Sequence, residues 1–139
     1  MKRDMEIWLG ENQRVDVHYK DFVIKTDQPE RDGGNNDASS PFDLFLASLG
    51  ACAGYYVKSF CRQRGLSEEG IRIVQRMHRD PEKKMITRIE IEIGLPGHFP
   101  ERYEEAVIKA ASACSVKKHI MQAPAFVLNT LRLNSSRGQ

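Results

Sequence analysis

The chain has 139 residues, of which 40% are apolar and 29% charged, a composition typical of one soluble globular domain rather than a disordered segment. Its 21 basic and 19 acidic residues leave a formal net charge of +2, so charge alone indicates neither a nucleic-acid nor a membrane partner. Neither a signal peptide nor a segment apolar enough to cross a bilayer is predicted, and we therefore expect a cytoplasmic protein.

Strands are predicted within residues 1–26, followed by a loop over residues 27–40. Apolar residues recur near every second position in three stretches, Met5–Leu9, Arg14–Tyr19 and Phe22–Thr26. The next segment, DQPERDGGNNDASS, is rich in Gly, Asn and Asp and has almost nothing that could pack. Its composition predicts a mobile loop.

A central helix is predicted over residues 41–64. Ser40 is a good N-cap, Pro41 suits the first helical position, and Asp43 sits where a capping-box acid would lie. Gly65 is suited to ending the helix. Because the segment LFLASLGACAGYYV is apolar on nearly every face, this helix should be buried at the centre of the fold.

A β-hairpin is predicted over residues 70–95. Isoleucines alternate with charged residues in both halves of this segment, and Asp80-Pro81-Glu82-Lys83 between them supplies turn chemistry. One face carries basic residues that could suggest RNA binding, but Glu90 and Glu92 on the neighbouring strand should offset them. A solvated face is therefore the better interpretation.

The rest of the chain is predicted to hold a second helical region, 101–121, and a final strand, 124–132. Apolar residues recur at helical spacing from Tyr103 to Ala111, and Cys114 continues their stripe toward the core. Together these elements predict one α+β domain over residues 1–139.

Three cysteines are the candidates for chemistry, and no pair has the CxxC spacing. Cys52 lies mid-helix among small residues that leave room for a ligand, and Cys114 precedes a basic turn that could favour a thiolate. Cys61 follows Cys52 by nine positions, which places it on about the opposite side of the helix. From the residues alone, a buried structural thiol is the commoner outcome for each of them.

Metal and cofactor sites find no support in the sequence. The histidines are scattered, with no HExxH motif and no pair at helical spacing, so a metal site is not expected. Neither a P-loop nor a GxGxxG motif occurs, and no cofactor is predicted.

Two motifs, SSPFDLFLASLGAC and ASACSVKKHI, resemble the OsmC/Ohr family of osmotically inducible and organic hydroperoxide resistance proteins. The first is a proline-initiated apolar helix ending in small-small-Cys, and the second is an Ala-rich helix ending in Cys-x-Val. The resemblance implies antiparallel sheets that wrap two central cysteine-bearing helices in an intertwined homodimer. It also implies that Cys52 attacks an organic hydroperoxide and that Cys114 resolves the sulfenic acid as a disulfide, which an external dithiol then reduces.

The sequence departs from the family pattern beside the helix-starting proline. The peroxidase branches have an acid directly after that proline, whereas here Phe42 occupies the position and Asp43 follows one residue later. We keep Asp43 as a candidate catalytic residue, with Arg14 or Arg31 as its candidate arginine partner. The second motif has Cys-Ser-Val where many members have Cys-Pro-Val, and we expect this to change the helix start rather than the thiol.

Two functions remain open from the sequence. The first is thiol-dependent reduction of organic hydroperoxides by Cys52 and Cys114. The second is a non-catalytic dimeric OsmC-like protein that binds or senses a small apolar or oxidised ligand, an alternative suggested by Phe42 in place of the expected acid. The first requires an acidified Cys52, and the second does not.

Overall fold

Three antiparallel strands open the chain in the computed structural model, which describes residues 4–134. They lie in the order of the sequence: β1 (Glu6–Leu9), β2 (Val15–Tyr19) and β3 (Phe22–Thr26). Tyr19 pairs with Phe22 across a two-residue turn, in which Lys20 takes a left-handed conformation with φ 54°. The predicted meander is confirmed.

Both faces of this sheet expose apolar side chains. Leu9 on one face of β1 is 86% exposed and Trp8 on the other is 56% exposed, although the Trp8 ring stacks on His18 at 3.9 Å. The strands of this sheet contact mainly one another, and no helix of the described chain packs extensively against them. The sheet is therefore not part of the chain's hydrophobic core.

The loop over residues 27–40 is organised around the buried carboxylate of Asp27. This carboxylate accepts hydrogen bonds from the backbone N–H of Gln28 at 2.8 Å and of Asp37 at 3.0 Å. Those two bonds, that of Asp37 first, hold the pKa of Asp27 below its usual range. The loop is thus folded where its composition predicts a mobile segment, because one buried acceptor holds two distant parts of its backbone.

The central helix α1 (Pro41–Gln63) confirms the predicted helix over residues 41–64. Ser40 Oγ accepts a hydrogen bond from the backbone N–H of Asp43 at 3.2 Å, and Pro41 is the first helical residue. At the other end Gly65 adopts φ 64°, and the N–H of the next residue returns to the Cys61 carbonyl oxygen, as in a Schellman motif.

By length and composition α1 could also cross a membrane, with a mean hydropathy of 1.3. This corrects the expectation that no segment of the chain is apolar enough to do so. The expectation that α1 is buried on nearly every face is wrong for the single chain, because Phe42, Phe45 and Tyr55 are exposed. Only one face is buried, at Leu46, Leu49, Ala53, Val57, Phe60 and Cys61.

A hydrophobic core forms around the second half of α1. Val57, Phe60 and Cys61 pack against Phe99 and Val107, and all five are buried. Partly buried side chains from the hairpin and from the segment before α2 surround this cluster, among them Ile71, Ile73, Ile93 and Tyr103.

The hairpin comprises β4 (Arg72–Asp80) and β5 (Met85–Gly94), which pair antiparallel with one register shift at His78/Arg79. The Asp80 carboxylate accepts hydrogen bonds from two backbone N–H groups of the turn. On the outer face Arg76 pairs with Glu92 at 3.4 Å, and His78 contacts Glu90 at 2.8 Å. The predicted hairpin is confirmed, and acidic partners offset its basic residues as expected.

The second helical region consists of α2 (Glu104–Ala111) and α3 (Ser115–Met121), which a short turn separates. The strand predicted over residues 124–132 is wrong for the single chain, where this segment has no regular secondary structure. Its apolar side chains are open, with Leu128 91% exposed. A strand needs a neighbour to pair with, and no described strand lies beside this segment.

Candidate functional site

The thiols of Cys52 and Cys114 lie side by side where the middle of α1 meets the start of α3. Cys52 is partly exposed, Cys114 is buried, and both are free thiols. Each thiol is among the groups that shift the pKa of the other, Cys114 lowering that of Cys52 and Cys52 raising that of Cys114. The two cysteines that the sequence singled out therefore share one site.

The start of α3 fixes the position of Cys114. This residue is the N-cap of α3, and its Sγ accepts a hydrogen bond from the backbone N–H of Lys117 at 3.4 Å. Its carbonyl oxygen accepts the first helical bond, from the Lys118 N–H at 3.1 Å. Cys114 is thus held at the start of α3 by one hydrogen bond to its side chain and one to its backbone.

The surroundings of the two thiols shift their pKa values in opposite directions. Burial opposes ionisation of Cys52, but hydrogen bonds from the Cys114 thiol, from the Val116 backbone and from Ser115 outweigh it and lower the Cys52 pKa. For Cys114, burial and its bond to Cys52 raise the pKa. Because a thiolate is the nucleophilic form of cysteine, the lowered pKa makes Cys52 the more reactive thiol of the two.

Ser115 also belongs to the site, although it was not among the candidate residues predicted from the sequence. Its Oγ lies 3.8 Å from Cys52 Sγ, a contact between residues 63 positions apart. Its backbone N–H is also among the groups that lower the Cys52 pKa. The expectation that Cys-Ser-Val changes the helix start rather than the Cys114 thiol stays a prediction, and the contact of Ser115 with Cys52 is an additional feature of this motif.

Asp43 does not join the thiols within the described chain. It lies nine residues before Cys52 on α1, about 13 Å along the axis at 1.5 Å per residue. Its backbone N–H is capped by Ser40, and its side chain lines an open polar cavity of about 820 Å³ together with Arg31. A catalytic role for Asp43 remains a prediction with no contact to support it.

The candidate arginines also lie away from the thiols. Arg14 is 3.5 Å from Asp16, and Arg31 is 3.8 Å from Asp32. No charged side chain is among the main influences on the Cys52 pKa. In the single chain, the main groups that lower the Cys52 pKa are neutral hydrogen-bond donors.

An apolar cavity of about 350 Å³ borders the buried thiol. Its lining comes from α1, β5 and the two short helices, and it includes Cys114 and Lys117. The other side chains are mostly aliphatic: Leu49, Ala53, Ile89, Ile91, Ile93, Ile108, Ala111 and Ile120, with Ser112 at one side. Such a cavity accommodates a small apolar molecule.

A second apolar cavity, of about 400 Å³, lies next to the site on the side of Ser115. Phe45, Val116, Ile120 and Phe126 supply most of its walls, and His119 contributes an imidazole. The His119 ring donates from Nδ1 to the Ser115 carbonyl oxygen at 2.7 Å, which leaves Nε2 free to accept.

Cys61 lies outside the site, as its spacing predicts. It is fully buried in the core, and burial raises its pKa. Within residues 4–134, no group of three or more His, Cys, Asp or Glu side chains could hold a metal ion.

Comparisons with known proteins identify the family and the fold of the chain. A family model described as OsmC-like protein matches residues 34–129. None of the curated proteins compared with the chain matches it.

Solved structures share the fold at low sequence identity. A hypothetical protein from Aquifex aeolicus VF5 superimposes with a TM-score of 0.68 at 21% identity, over 88% of this chain and 89% of its own. An OsmC like protein from Mycoplasma pneumoniae gives 0.67 at 15% identity over the same shares. An organic hydroperoxide resistance protein OsmC from Legionella pneumophila gives 0.52 at 19% identity, over 86% and 89% of the two chains.

Proposed function

Because the chain belongs to the OsmC-like protein family, we propose that it reduces organic hydroperoxides with the thiols of Cys52 and Cys114. The observation that carries the proposal is that two free thiols on different helices influence each other and have pKa values shifted in opposite directions. An attacking thiolate beside a protonated resolving thiol is the arrangement that two-cysteine peroxide chemistry requires.

The proposed reaction proceeds in two steps. The Cys52 thiolate attacks one peroxide oxygen and the O–O bond breaks, so that the sulfur becomes a sulfenic acid and the alkoxide leaves as an alcohol after taking up a proton. The Cys114 sulfur then attacks the sulfenic sulfur, and water leaves as the Cys52–Cys114 disulfide forms. An external dithiol returns both sulfurs to thiols and is itself oxidised to a disulfide.

The apolar walls around the site favour an organic peroxide over hydrogen peroxide. Both cavities are lined mainly by aliphatic and aromatic side chains, which gain free energy from burying a hydrocarbon group. The second cavity is lined by Ser115, whose Oγ lies 3.8 Å from Cys52 Sγ, so a hydrocarbon group bound there would lie near the proposed nucleophile.

The working unit in this proposal is a homodimer in the cytoplasm. The N-terminal sheet exposes apolar residues on both faces, and the segment over residues 124–134 leaves Phe126, Leu128 and Leu131 at least 79% exposed. Apolar surface on this scale marks an interaction site. A second copy of the chain would cover this apolar surface.

Peptide mapping after peroxide treatment tests the function. Reduced protein is mixed with cumene hydroperoxide, quenched by alkylation and digested, and we expect a Cys52–Cys114 disulfide. Cys52→Ser should abolish peroxide consumption, and Cys114→Ser should leave a sulfenic acid on Cys52 that dimedone traps. Cys61→Ala is the matched control, because this thiol lies in the core, away from the pair.

Failure of either central result would contradict the proposal. If no disulfide forms, or if Cys52→Ser consumes peroxide as fast as the unmodified protein, Cys52 and Cys114 do not act as a peroxidase. The remaining candidate is then a protein that binds a small apolar or oxidised ligand without turnover. The absence of a charged side chain among the main influences on Cys52 is the observation that favours it.

A further inference from the structure

Cys52 and Cys114 have the same side chain but different surroundings. Each cysteine influences the pKa of the other, and burial opposes ionisation of both. The difference lies in the groups around them, because the Ser115 side chain contacts Cys52 at 3.8 Å, whereas Cys114 Sγ accepts from the backbone N–H of Lys117. Of these two donors to the thiols, the Ser115 hydroxyl is a side-chain group, so a substitution can remove it without changing the backbone.

We propose that Ser115 selects Cys52 as the nucleophile of the pair, by directing its hydroxyl and its backbone N–H at Cys52 Sγ. This inference deepens the proposed function and depends on it for its role in catalysis. A hydroxyl that donates to sulfur stabilises the thiolate more than the thiol, since bonds to a charged acceptor are the stronger ones. Removing it should make Cys52 ionise at higher pH.

The geometry around Ser115 explains why this residue can act on the sulfur. It is the first residue of α3, so its N–H is one of those that have no partner inside the helix. Among the described residues, Cys52 Sγ is the hydrogen-bond partner of the Ser115 hydroxyl. The groups that face Cys52 are Cys114, Ser115 and Val116, and only the two thiols titrate.

Three substitutions at one position separate the contributions of Ser115. Ser115→Ala removes the hydroxyl and keeps the N–H, and Ser115→Thr keeps both. Ser115→Pro removes both donors, and the backbone permits it: proline suits the first helical position, and Cys114 has φ −53° and ψ 123°, a conformation compatible with a following proline. Ser59→Ala is the control, because its hydroxyl accepts from Gln63 at 3.3 Å instead.

The experiment follows alkylation of each cysteine by iodoacetamide as a function of pH, resolved by peptide mass spectrometry on the reduced full chain. At pH 7 we expect labelling of Cys52 to slow about three- to tenfold in Ser115→Ala and further in Ser115→Pro, with the midpoint at higher pH. Ser115→Thr and Ser59→Ala should behave like the unmodified protein. Cys61 should stay unlabelled throughout, which reports that the core is intact.

An unchanged Cys52 profile in both Ser115→Ala and Ser115→Pro, with Cys61 protected, would overturn the inference. If Cys61 becomes labelled in the proline variant, its core is no longer intact and that variant is set aside. The comparison of Cys52 labelling in Ser115→Ala and Ser115→Thr then tests the inference. No peroxide is present in this experiment. A failure here therefore leaves peroxide reduction open, and a failure of the peroxide test leaves the role of Ser115 in setting thiol ionisation intact.

Discussion

Gly50 of α1 packs closely against the Gln75 side chain of β4 where the helix crosses the hairpin. A Cβ at position 50 would lie 2.6 Å from Gln75 Oε1, and Gln75 Nε2 donates to the Leu46 carbonyl oxygen at 2.9 Å. The glycine thus makes room for a side chain that ties β4 to α1, two residues before the proposed nucleophile.

Substituting this glycine should loosen that connection. In Gly50→Ala the new methyl group displaces the Gln75 amide, and we expect the free energy of unfolding to fall by about 1 kcal/mol, measured by urea denaturation. Gly54→Ala is the matched control on the same helix, because its Cβ would lie 3.8 Å from Ile73 Cδ1, in ordinary contact. That variant should be more stable by up to about 1 kcal/mol. Equal effects of the two substitutions would contradict the fit between Gly50 and Gln75.

The cap at Cys114 gives a second prediction. Cys114→Ser retains a side-chain acceptor for the Lys117 N–H, whereas Cys114→Ala leaves that donor without it. We expect Cys114→Ala to be less stable than Cys114→Ser by about 1 kcal/mol, the usual cost of losing an N-cap. Amide hydrogen exchange at Lys117 should be faster in the alanine variant. Identical exchange in the two variants would show that the sulfur does not cap α3.

Asp27 should make the stability of the fold sensitive to acid. Its pKa is lowered in the folded state, so its contribution is complete above the unfolded value of about 3.9 and is lost as the pH falls through the lower folded value. Asp27→Asn should be less stable than the unmodified chain at pH 7 and lose less stability between pH 5 and pH 2. Urea denaturation over this range measures both effects. Parallel acid profiles for the two proteins would contradict this prediction.

The exposed C-terminal segment predicts the assembly. Native mass spectrometry should give twice the 15.9 kDa mass of the chain. Leu128→Asp should weaken the dimer at least about 100-fold, because an unpaired charge in an apolar interface costs about 3 kcal/mol or more. Lys83→Asp in the exposed hairpin turn is the control, and it should leave the mass unchanged. A monomeric unmodified protein would refute the homodimer.

The parts of the fold that depend on neighbouring residues were predictable from the sequence. The cap at Ser40, the proline that follows it and the glycine after α1 act within one or two helical turns, and the hairpin shows its alternation directly. The cysteine pair was reached through its two motifs, since neither thiol stands out by spacing. The family assignment and the fold are both confirmed.

The features that the sequence did not predict depend on distant partners. The order of the loop over residues 27–40 rests on one carboxylate that bonds to a backbone N–H ten residues away. The contact of Ser115 with Cys52 spans 63 positions. The segment over residues 124–132 has the composition of a strand but no neighbour within the described chain, so its pattern alone did not decide its conformation.

The position of the two cysteines in the chain also ties their oxidation to the stability of the whole fold. They are 62 positions apart and meet only through the packing of α1 against α3. A bond between them would close a long loop and remove conformational entropy from the unfolded chain, which corresponds to about 4 kcal/mol. The oxidised form would then melt at a higher temperature than the reduced one, and thermal denaturation would report the redox state of the pair.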